Sequence, residues 1–265
     1  MKELNMPFLN VNGIDLYYEV KGEGQTVVFI HGLGSSCQDW EKQEPVFSKQ
    51  YQVVMLDLRG HGKSQKPSGP YSMALFASDV AGVIRSLNLA PVHVVGISLG
   101  GMIALQLAAD YPELVRSFVA ANNNSEMIVR TWKDRWEIFM RTNVVRLLGM
   151  RKMGEVLGRN MFPDDSQADV RKLIVERWAE NDPKAYLASI GAIIGWSVTE
   201  RLADIAVPAL ILSADKDYTP VADKEAIVAR MPNAELAVIS DSRHATPVDQ
   251  PEKFNEVVLN FISKH

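Results

Sequence analysis

A serine flanked by glycines stands where an apolar run meets a helical pattern, near the middle of the 265-residue chain. Residues 92–97 read Val-His-Val-Val-Gly-Ile, which is typical of a buried strand. Ser98-Leu99-Gly100-Gly101 follows, and then a stretch rich in alanine and leucine that predicts a helix. A strand, a sharp turn and a helix form the context in which a Gly-x-Ser-x-Gly serine acts as a nucleophile. Ser98 is therefore the candidate nucleophile.

A serine hydroxyl needs a neighbouring base to take its proton at neutral pH, and five histidines could supply that base. His244 lies in the loop after the last predicted strand, at the sheet edge where Ser98 is expected. We therefore expect His244 to be the base. The other histidines have simpler structural or terminal placements: His31, His61, His93 and His265.

The third member of such a triad is a carboxylate that orients the imidazole and stabilises its charged form. Residues 213–220 follow the penultimate predicted strand and offer two candidates, Asp215 and Asp217. Spacing alone leaves both open. Either one gives the chain order serine, aspartate, histidine, in which triads of this kind occur.

The elements that must position these groups alternate between strands and helices. Strands are predicted at 26–30, 52–58, 92–97, 115–121, 209–213 and 235–239, after a hairpin at 9–18. Helices are predicted at 39–48, 72–89, 221–230 and 251–263, besides the one after Ser98. This alternation predicts an α/β fold with a mostly parallel, doubly wound sheet.

The alternation stops between the strand at 115–121 and about residue 204, where large apolar residues recur at helical spacing. We expect this segment to form a helical cap, which divides the chain into core residues 1–122, cap residues 123–204 and core residues 205–265. Some cap side chains should line an apolar substrate pocket above Ser98. The candidates for this role are Trp132, Trp136, Met140 and Trp196.

Composition limits the classes of partner and cofactor. A net charge of −4 gives no electrostatic reason to expect nucleic acid or an anionic membrane as a partner. Cys37 is the only cysteine, so neither an intrachain disulfide nor a thiolate metal cluster is expected. No phosphate loop, dinucleotide fingerprint or metal-ligand spacing is complete, so we expect no cofactor and no metal. The lack of an apolar signal core or membrane-spanning window leads us to expect a cytoplasmic protein.

Together these motifs resemble the α/β-hydrolase superfamily, in the branch of carboxylesterases, enol-lactonases and cofactor-free perhydrolases. The resemblance rests on His31-Gly32, residues 57–64, residues 96–101, Asp217, and His244 with Gln250-Pro251 behind it. It implies that Asp217, the second carboxylate of its turn, is the catalytic acid. Ala214 departs from the family pattern, which commonly has glycine there. Asp249 stands where members often carry glutamate, and we expect it to be structural.

The resemblance also implies that the backbone N–H groups of Leu33 and Leu99 form the oxyanion hole. We therefore expect a serine hydrolase that cleaves small, largely apolar carboxylic esters through an acyl-enzyme, with water as the only cosubstrate. An enol-lactonase, a carbon–carbon bond hydrolase or a perhydrolase would use the same residues, and these alternatives stay open. The alternative outside the enzymes is a receptor with this fold that binds a small molecule.

Overall fold

Continuous apolar runs form the middle of the sheet because these strands are covered on both faces. The structure is a computed structural model that describes residues 7–265. Its sheet has eight strands in the order β1-β2-β4-β3-β5-β6-β7-β8. The strands are β1 (Phe8–Val11), β2 (Ile14–Lys21), β3 (Thr26–Ile30), β4 (Gln52–Leu56), β5 (Val92–Ile97), β6 (Val115–Ala121), β7 (Ala209–Ala214) and β8 (Ala234–Ile239). From β3 to β8 the strands run parallel.

The antiparallel edge follows from a tight turn. Asn12 and Gly13 both have positive φ, 50° and 76°, which a two-residue hairpin turn between twisted strands requires. The turn joins β1 to β2, and β2 then pairs antiparallel with β4. The hairpin expected at 9–18 therefore continues to Lys21 and becomes part of the main sheet.

Helices cover both faces of the sheet. On one face lie α2 (Met73–Ser86), α3 (Leu99–Asp110) and α7 (Val221–Val228), whose apolar residues share a cluster with Val28 and Val94. On the other face lie α1 (Glu44–Phe47) and α9 (Pro251–Ile262), packed against Phe29 and Val95. A short helix, α8 (Thr246–Asp249), precedes α9. The doubly wound α/β fold expected from the sequence is confirmed.

The helix expected at 39–48 is broken into two pieces. A 3₁₀ turn covers Cys37–Trp40, and α1 begins separately at Glu44. Pro45 stands in the first turn of α1, where its missing N–H costs nothing. A proline at that position cannot continue a helix that began earlier, which explains the break.

Three helices lie between β6 and β7: α4 (Trp132–Met161), α5 (Ala168–Ala179) and α6 (Pro183–Ile193), called here the helical insertion. Gly149 interrupts α4 with φ 79° and ψ 178°, so two helical pieces meet at an angle. The insertion has its own apolar cluster, which includes Met150, Met153, Trp178 and Tyr186. Within the part of the chain that the structure describes, no helix has the length and apolar character needed to cross a membrane.

Candidate active site

Ser98 occupies a strained turn between β5 and α3. Its φ is 55° and its ψ is −115°, which a residue with a side chain seldom adopts. The turn is held because the Ser98 N–H donates to the Ala121 carbonyl at 2.8 Å, while the Ser98 carbonyl accepts from Met102 N–H at 3.0 Å. This turn places the Ser98 hydroxyl at the carboxyl edge of the sheet and at the start of α3.

Two glycines make this turn possible. A Cβ on Gly96 would overlap the Gly100 carbonyl, and a Cβ on Gly100 would overlap the Ile30 carbonyl. Neither neighbour can yield, because both contacts are with backbone rather than with a flexible side chain. Any larger residue would therefore push the helix and the adjoining strand apart and displace Ser98.

His244 and Asp217 form a hydrogen-bonded pair at the same edge. The His244 Nδ1 lies 2.8 Å from the Asp217 Oδ1, and the Asp217 side chain is fully buried. Asp215, the other candidate acid, accepts instead from the Ser242 N–H at 3.0 Å. The structure thus brings His244 to Asp217 and not to Asp215.

Asp217 is kept ionised by its neighbours. Burial alone would raise the pKa of its carboxyl, but hydrogen bonds from His244 and Thr219 and the charge of Lys224 outweigh burial and hold that pKa below its usual value. The Lys224 side chain is itself fully buried, with its Nζ 3.8 Å from the Asp217 Oδ2. An ionised carboxylate in this position can orient the imidazole and stabilise its protonated form.

Asn122 ties together the two loops that carry His244 and Asp217. Its Oδ1 accepts from the Ala214 N–H at 2.8 Å, at the start of the acid turn. Its Nδ2 donates to the His244 carbonyl at 2.8 Å and to the Thr246 hydroxyl at 2.7 Å. One buried amide at the end of β6 therefore sets the distance between the two loops.

Asp249 braces the base loop from its other side. Its two carboxylate oxygens accept from the Ser242 hydroxyl at 2.9 Å and from the Arg243 N–H at 2.7 Å. These contacts match the structural role expected for Asp249, because none of them reaches the imidazole.

Tyr218 contacts His244 directly, and no motif in the sequence predicts this contact. Its hydroxyl lies 2.7 Å from the His244 Nε2, and the two rings stack with centroids 4.2 Å apart. Tyr218 is 66% exposed, and it faces the cleft between α4 and α7. Partial desolvation by the surrounding protein atoms raises the pKa of the phenol, so the hydroxyl is neutral and can donate to Nε2.

Two spaces adjoin these residues, and the smaller one has a volume of about 70 Å³. This small pocket is bordered by Ser98, His244, Gly32 and Leu33, and by apolar side chains that include Met161, Ile174 and Trp178. Asp39 also borders it. The Asp39 side chain is partly exposed to the pocket and otherwise surrounded by protein atoms. This burial raises the pKa of its carboxyl to about 6.

One of the two predicted oxyanion donors, Leu33, borders this small pocket, and the other, Leu99, directly follows Ser98. A Cβ built on Gly32 would stand 3.6 Å from the Ser98 Cβ, so the loop that carries Leu33 packs against the serine. Leu99 is the first residue of α3, and its N–H therefore has no acceptor within the helix. The arrangement is compatible with the two amides acting together.

The second space, the wide cleft, measures about 700 Å³. It lies between α4, α7 and the segment that follows β6, and its lining includes Met127, Ile138, Arg141 and Tyr218. Tyr218 connects the two spaces, because it lines the wide cleft while its hydroxyl contacts His244 at the small pocket.

The sequence profile of the α/β-hydrolase fold family matches residues 25–251. The chain belongs to this family. A "Putative carbamate hydrolase RutD" of Azorhizobium caulinodans is 30% identical and aligns over 97% of this chain and 98% of its own. The 3-oxoadipate enol-lactonase 2 of Acinetobacter baylyi is 27% identical and aligns over 94% of each chain. The crystal structure of the enol-lactonase from Burkholderia xenovorans LB400 superposes with a TM-score of 0.90, at 25% identity, over 97% of this chain and 100% of that one.

Membership of the α/β-hydrolase fold family confirms the resemblance that the motifs suggested. The named relatives are a putative carbamate hydrolase and enol-lactonases, and hydrolytic chemistry is what the family match supports for this chain. Across residues 7–265, no group of three or more His, Cys, Asp or Glu side chains is arranged to hold a metal ion.

The candidate substrate-binding residues lie elsewhere in this α/β hydrolase. Trp132, Trp136 and Met140 are 85%, 61% and 43% exposed, and none of them borders the small pocket or the wide cleft. Their i, i+4 spacing places them on one stripe of α4, whereas Ile138 and Arg141 on another stripe face the cleft. Trp196 donates from Nε1 to the Gln106 Oε1 at 2.6 Å and packs against the core. The structure does not bring these four side chains to Ser98.

Three other histidines are buried in structural roles. His31 Nε2 accepts from the Leu58 N–H at 3.0 Å, and His61 Nδ1 bonds the Arg59 carbonyl at 2.9 Å. His93 bonds the Ser117 hydroxyl at 2.7 Å. Burial lowers the pKa of these imidazoles to about 4, 3 and 4 respectively, so they are neutral at pH 7.

Proposed function

We propose that the protein is a serine hydrolase that cleaves carboxylic esters of small, largely apolar molecules through an acyl-enzyme. The observation that carries this proposal is the strained turn of Ser98 beside the hydrogen-bonded His244–Asp217 pair. A backbone held in an unfavourable conformation at a helix start is typical of an exposed nucleophile, and the adjacent pair is the base that a serine needs.

The first half of the reaction forms the acyl-enzyme. The substrate displaces the Tyr218 hydroxyl from His244, and the Ser98 hydroxyl takes its place at Nε2. The Ser98 Oγ attacks the carbonyl carbon while its proton moves to Nε2, and Asp217 stabilises the imidazolium. The N–H groups of Leu33 and Leu99 stabilise the oxyanion. The carbon–oxygen bond to the alcohol then breaks, and His244 returns the proton to the leaving oxygen.

The second half releases the acid. Water takes the position that the alcohol has left, and His244 removes its proton as it attacks the acyl carbon. The new tetrahedral intermediate collapses, the bond to the Ser98 Oγ breaks, and Oγ recovers its proton from His244. No group other than water is consumed.

The two spaces favour one orientation of the ester. The small pocket borders both Ser98 and Leu33, so it suits the acyl group whose carbonyl must meet them. A volume of about 70 Å³ is roughly half of the ~150 Å³ cavity that accepts benzene, which limits the acyl chain to a few carbons. The alcohol portion then extends past Tyr218 into the wide cleft.

A lactone is the second candidate substrate. Two relatives with high coverage are named enol-lactonases. In a lactone the acyl and alcohol portions are one molecule, and the same nucleophile, base and oxyanion donors would open the ring. Carbamate hydrolysis, named for the RutD relatives, would require the same attack on a less reactive carbonyl.

The test is the hydrolysis of p-nitrophenyl esters from acetate to decanoate by the wild type, Ser98→Ala and the exposed control Ser166→Ala. We expect turnover that is fastest for the shortest chains, a loss on the order of a million-fold in Ser98→Ala, and no change in Ser166→Ala. A wild type no faster than Ser98→Ala on every ester would contradict the proposal and favour a receptor with this fold.

A further inference from the structure

Three arginines line the wide cleft, and one of them differs from the other two. Arg130 is exposed and pairs with Glu126 at 2.7 Å, and Arg230 is exposed and lies 3.6 Å from Glu200. Arg141 is half-buried, and it forms no ion pair with any carboxylate among residues 7–265. A guanidinium is charged at every physiological pH. The cleft therefore holds a cation without a protein counter-charge.

Arg141 is held in place by a buried tyrosine. Its Nε donates to the Tyr186 hydroxyl at 2.8 Å, and its Cζ lies 5.7 Å from the centre of the Tyr186 ring. Tyr186 itself is only 1% exposed, so it is a firm anchor. Within the described chain, the terminal Nη1 and Nη2 groups have no acceptor. Parallel donors of this kind match the two oxygens of a carboxylate.

The acidic side chains of the same cleft are paired elsewhere or exposed. Asp134 accepts from the N–H groups of Arg130 and Thr131 at 2.9 Å and caps α4. Glu137 lies 3.8 Å from Lys133. Asp223 is exposed in the first turn of α7, and Glu126 is the partner of Arg130, as described above. None of them neutralises Arg141.

We propose that Arg141 binds a carboxylate carried by the alcohol portion of the substrate, so that the preferred substrates are short-chain esters of hydroxycarboxylic acids. This inference rests on the proposed function, which assigns the alcohol portion to the wide cleft. Tyr218 lines the same cleft and contacts His244, so an anion held by Arg141 lies in the space that adjoins the reacting groups.

The small pocket gives an independent reason to place the carboxylate on the alcohol portion rather than on the acyl group. Asp39 borders it, and its carboxyl is ionised at pH values above about 6. A carboxylate on the acyl group would meet that negative charge at neutral pH. The charges of the two spaces therefore favour a neutral acyl group and an anionic alcohol.

The experiment compares two ligands that differ in one charge, 4-acetoxybenzoate and the neutral 4-acetoxybenzamide. Their binding is measured by calorimetry at pH 7.5 in the Ser98→Ala background, where the esters are not consumed. We expect the carboxylate to bind about 10- to 100-fold more tightly than the amide, as charge-assisted hydrogen bonds do. Arg141→Met should abolish this preference without changing amide binding, and Arg141→Lys should keep part of it.

Arg230→Met is the matched control, because it removes a cation from the same cleft that already has a carboxylate partner. It should leave the preference intact. Equal binding of the two ligands before any arginine is changed, or a preference that survives Arg141→Met, would overturn the proposal. Because binding is read without turnover, an inert wild type in the ester assay would refute the proposed function and not this site.

Discussion

The small pocket and the wide cleft are linked by the contact between His244 and Tyr218, but they differ in size, polarity and charge. The small pocket measures about 70 Å³ and is mostly apolar, with one enclosed carboxyl at Asp39. The wide cleft measures about 700 Å³ and contains the unpaired guanidinium of Arg141. The core and the helical insertion both contribute walls to each space. In the proposals above, size therefore selects the acyl end of the substrate and charge selects its alcohol end.

His244 borders the small pocket and contacts Tyr218 of the wide cleft, and the proposed partner of His244 is Asp217. The variant Asp217→Asn tests this partnership and has the largest expected effect. An amide in place of the carboxylate cannot hold the His244 tautomer that accepts the serine proton, so we expect kcat to fall about 10⁴-fold. Asp215→Asn is the matched control. Because Asp215 bonds the Ser242 N–H and not the imidazole, its replacement should change kcat only a few-fold. Equal losses in the two variants would contradict this assignment.

The size of the small pocket can be changed at Met161, which borders it from the end of α4. Met161→Ala removes the end of a flexible side chain and should admit longer acyl chains. We expect the ratio of kcat/KM for p-nitrophenyl hexanoate to that for the acetate to rise about tenfold, the lower end of the range for one methylene group in an apolar pocket. Met127→Ala, in the wide cleft, should leave the ratio unchanged. The same rise in both variants would show that the acyl chain does not occupy the small pocket.

The boundary between the two spaces is Tyr218, and Tyr218→Phe tests its contact with the base. The variant removes the hydroxyl that competes with Ser98 for the His244 Nε2. One hydrogen bond of this kind has a net value of about 0.5–1.5 kcal/mol, so kcat/KM for p-nitrophenyl acetate should rise about two- to tenfold. A fall in kcat/KM would instead show that the hydroxyl takes part in the proton transfer.

Asp39→Asn examines the charge of the small pocket through stability. Burial raises the pKa of Asp39 in the folded protein to about 6, above its ordinary value of 3.8. The folded state therefore binds the proton more tightly than the unfolded state, and stability from this group is lost as the pH rises through 6. Removing the charge should stabilise the protein at pH 8, by about 1 kcal/mol since part of the side chain reaches the pocket, and not at pH 4.

Thermal unfolding measures this effect, which should appear as a rise in Tm of about 2–4 °C at pH 8. The exposed Asp165→Asn should leave Tm unchanged at both pH values. A lower Tm for Asp39→Asn at pH 8 would mean that the carboxylate is stabilised where it lies, and the charge difference between the two spaces would disappear.

The core could be predicted from sequence because its signals are local. A run such as Thr26–Ile30, apolar after its first residue, belongs to a strand buried on both faces. Glycine is the only residue that fits at Gly96 and Gly100 in the turn around Ser98. The choice between Asp215 and Asp217 needed more, since side-chain direction in a loop depends on the whole turn. The family resemblance indicated Asp217, and in the structure His244 bonds Asp217.

The residues that line the two spaces could not be predicted from local sequence patterns. The first half of α4 carries apolar residues on more than one stripe, so helical spacing could not tell which stripe faces inward. Trp132 and Trp136, which we expected to line the pocket, lie outside it, while Arg141 lines the wide cleft. No short motif predicts the contact of Tyr218 with His244, because it joins positions 26 residues apart. Such contacts depend on how the insertion and the loops pack, which no short motif records.

Every proposed step requires Ser98 as the nucleophile, and covalent labelling tests this role. The protein is treated with a fluorophosphonate, which transfers its phosphonyl group to an activated serine with loss of fluoride, and the modified peptide is identified by mass spectrometry. We expect one adduct per chain, located on Ser98, absent from Ser98→Ala and much slower to form in Asp217→Asn. A wild type that stays unlabelled, or a label on another serine, would contradict this role for Ser98.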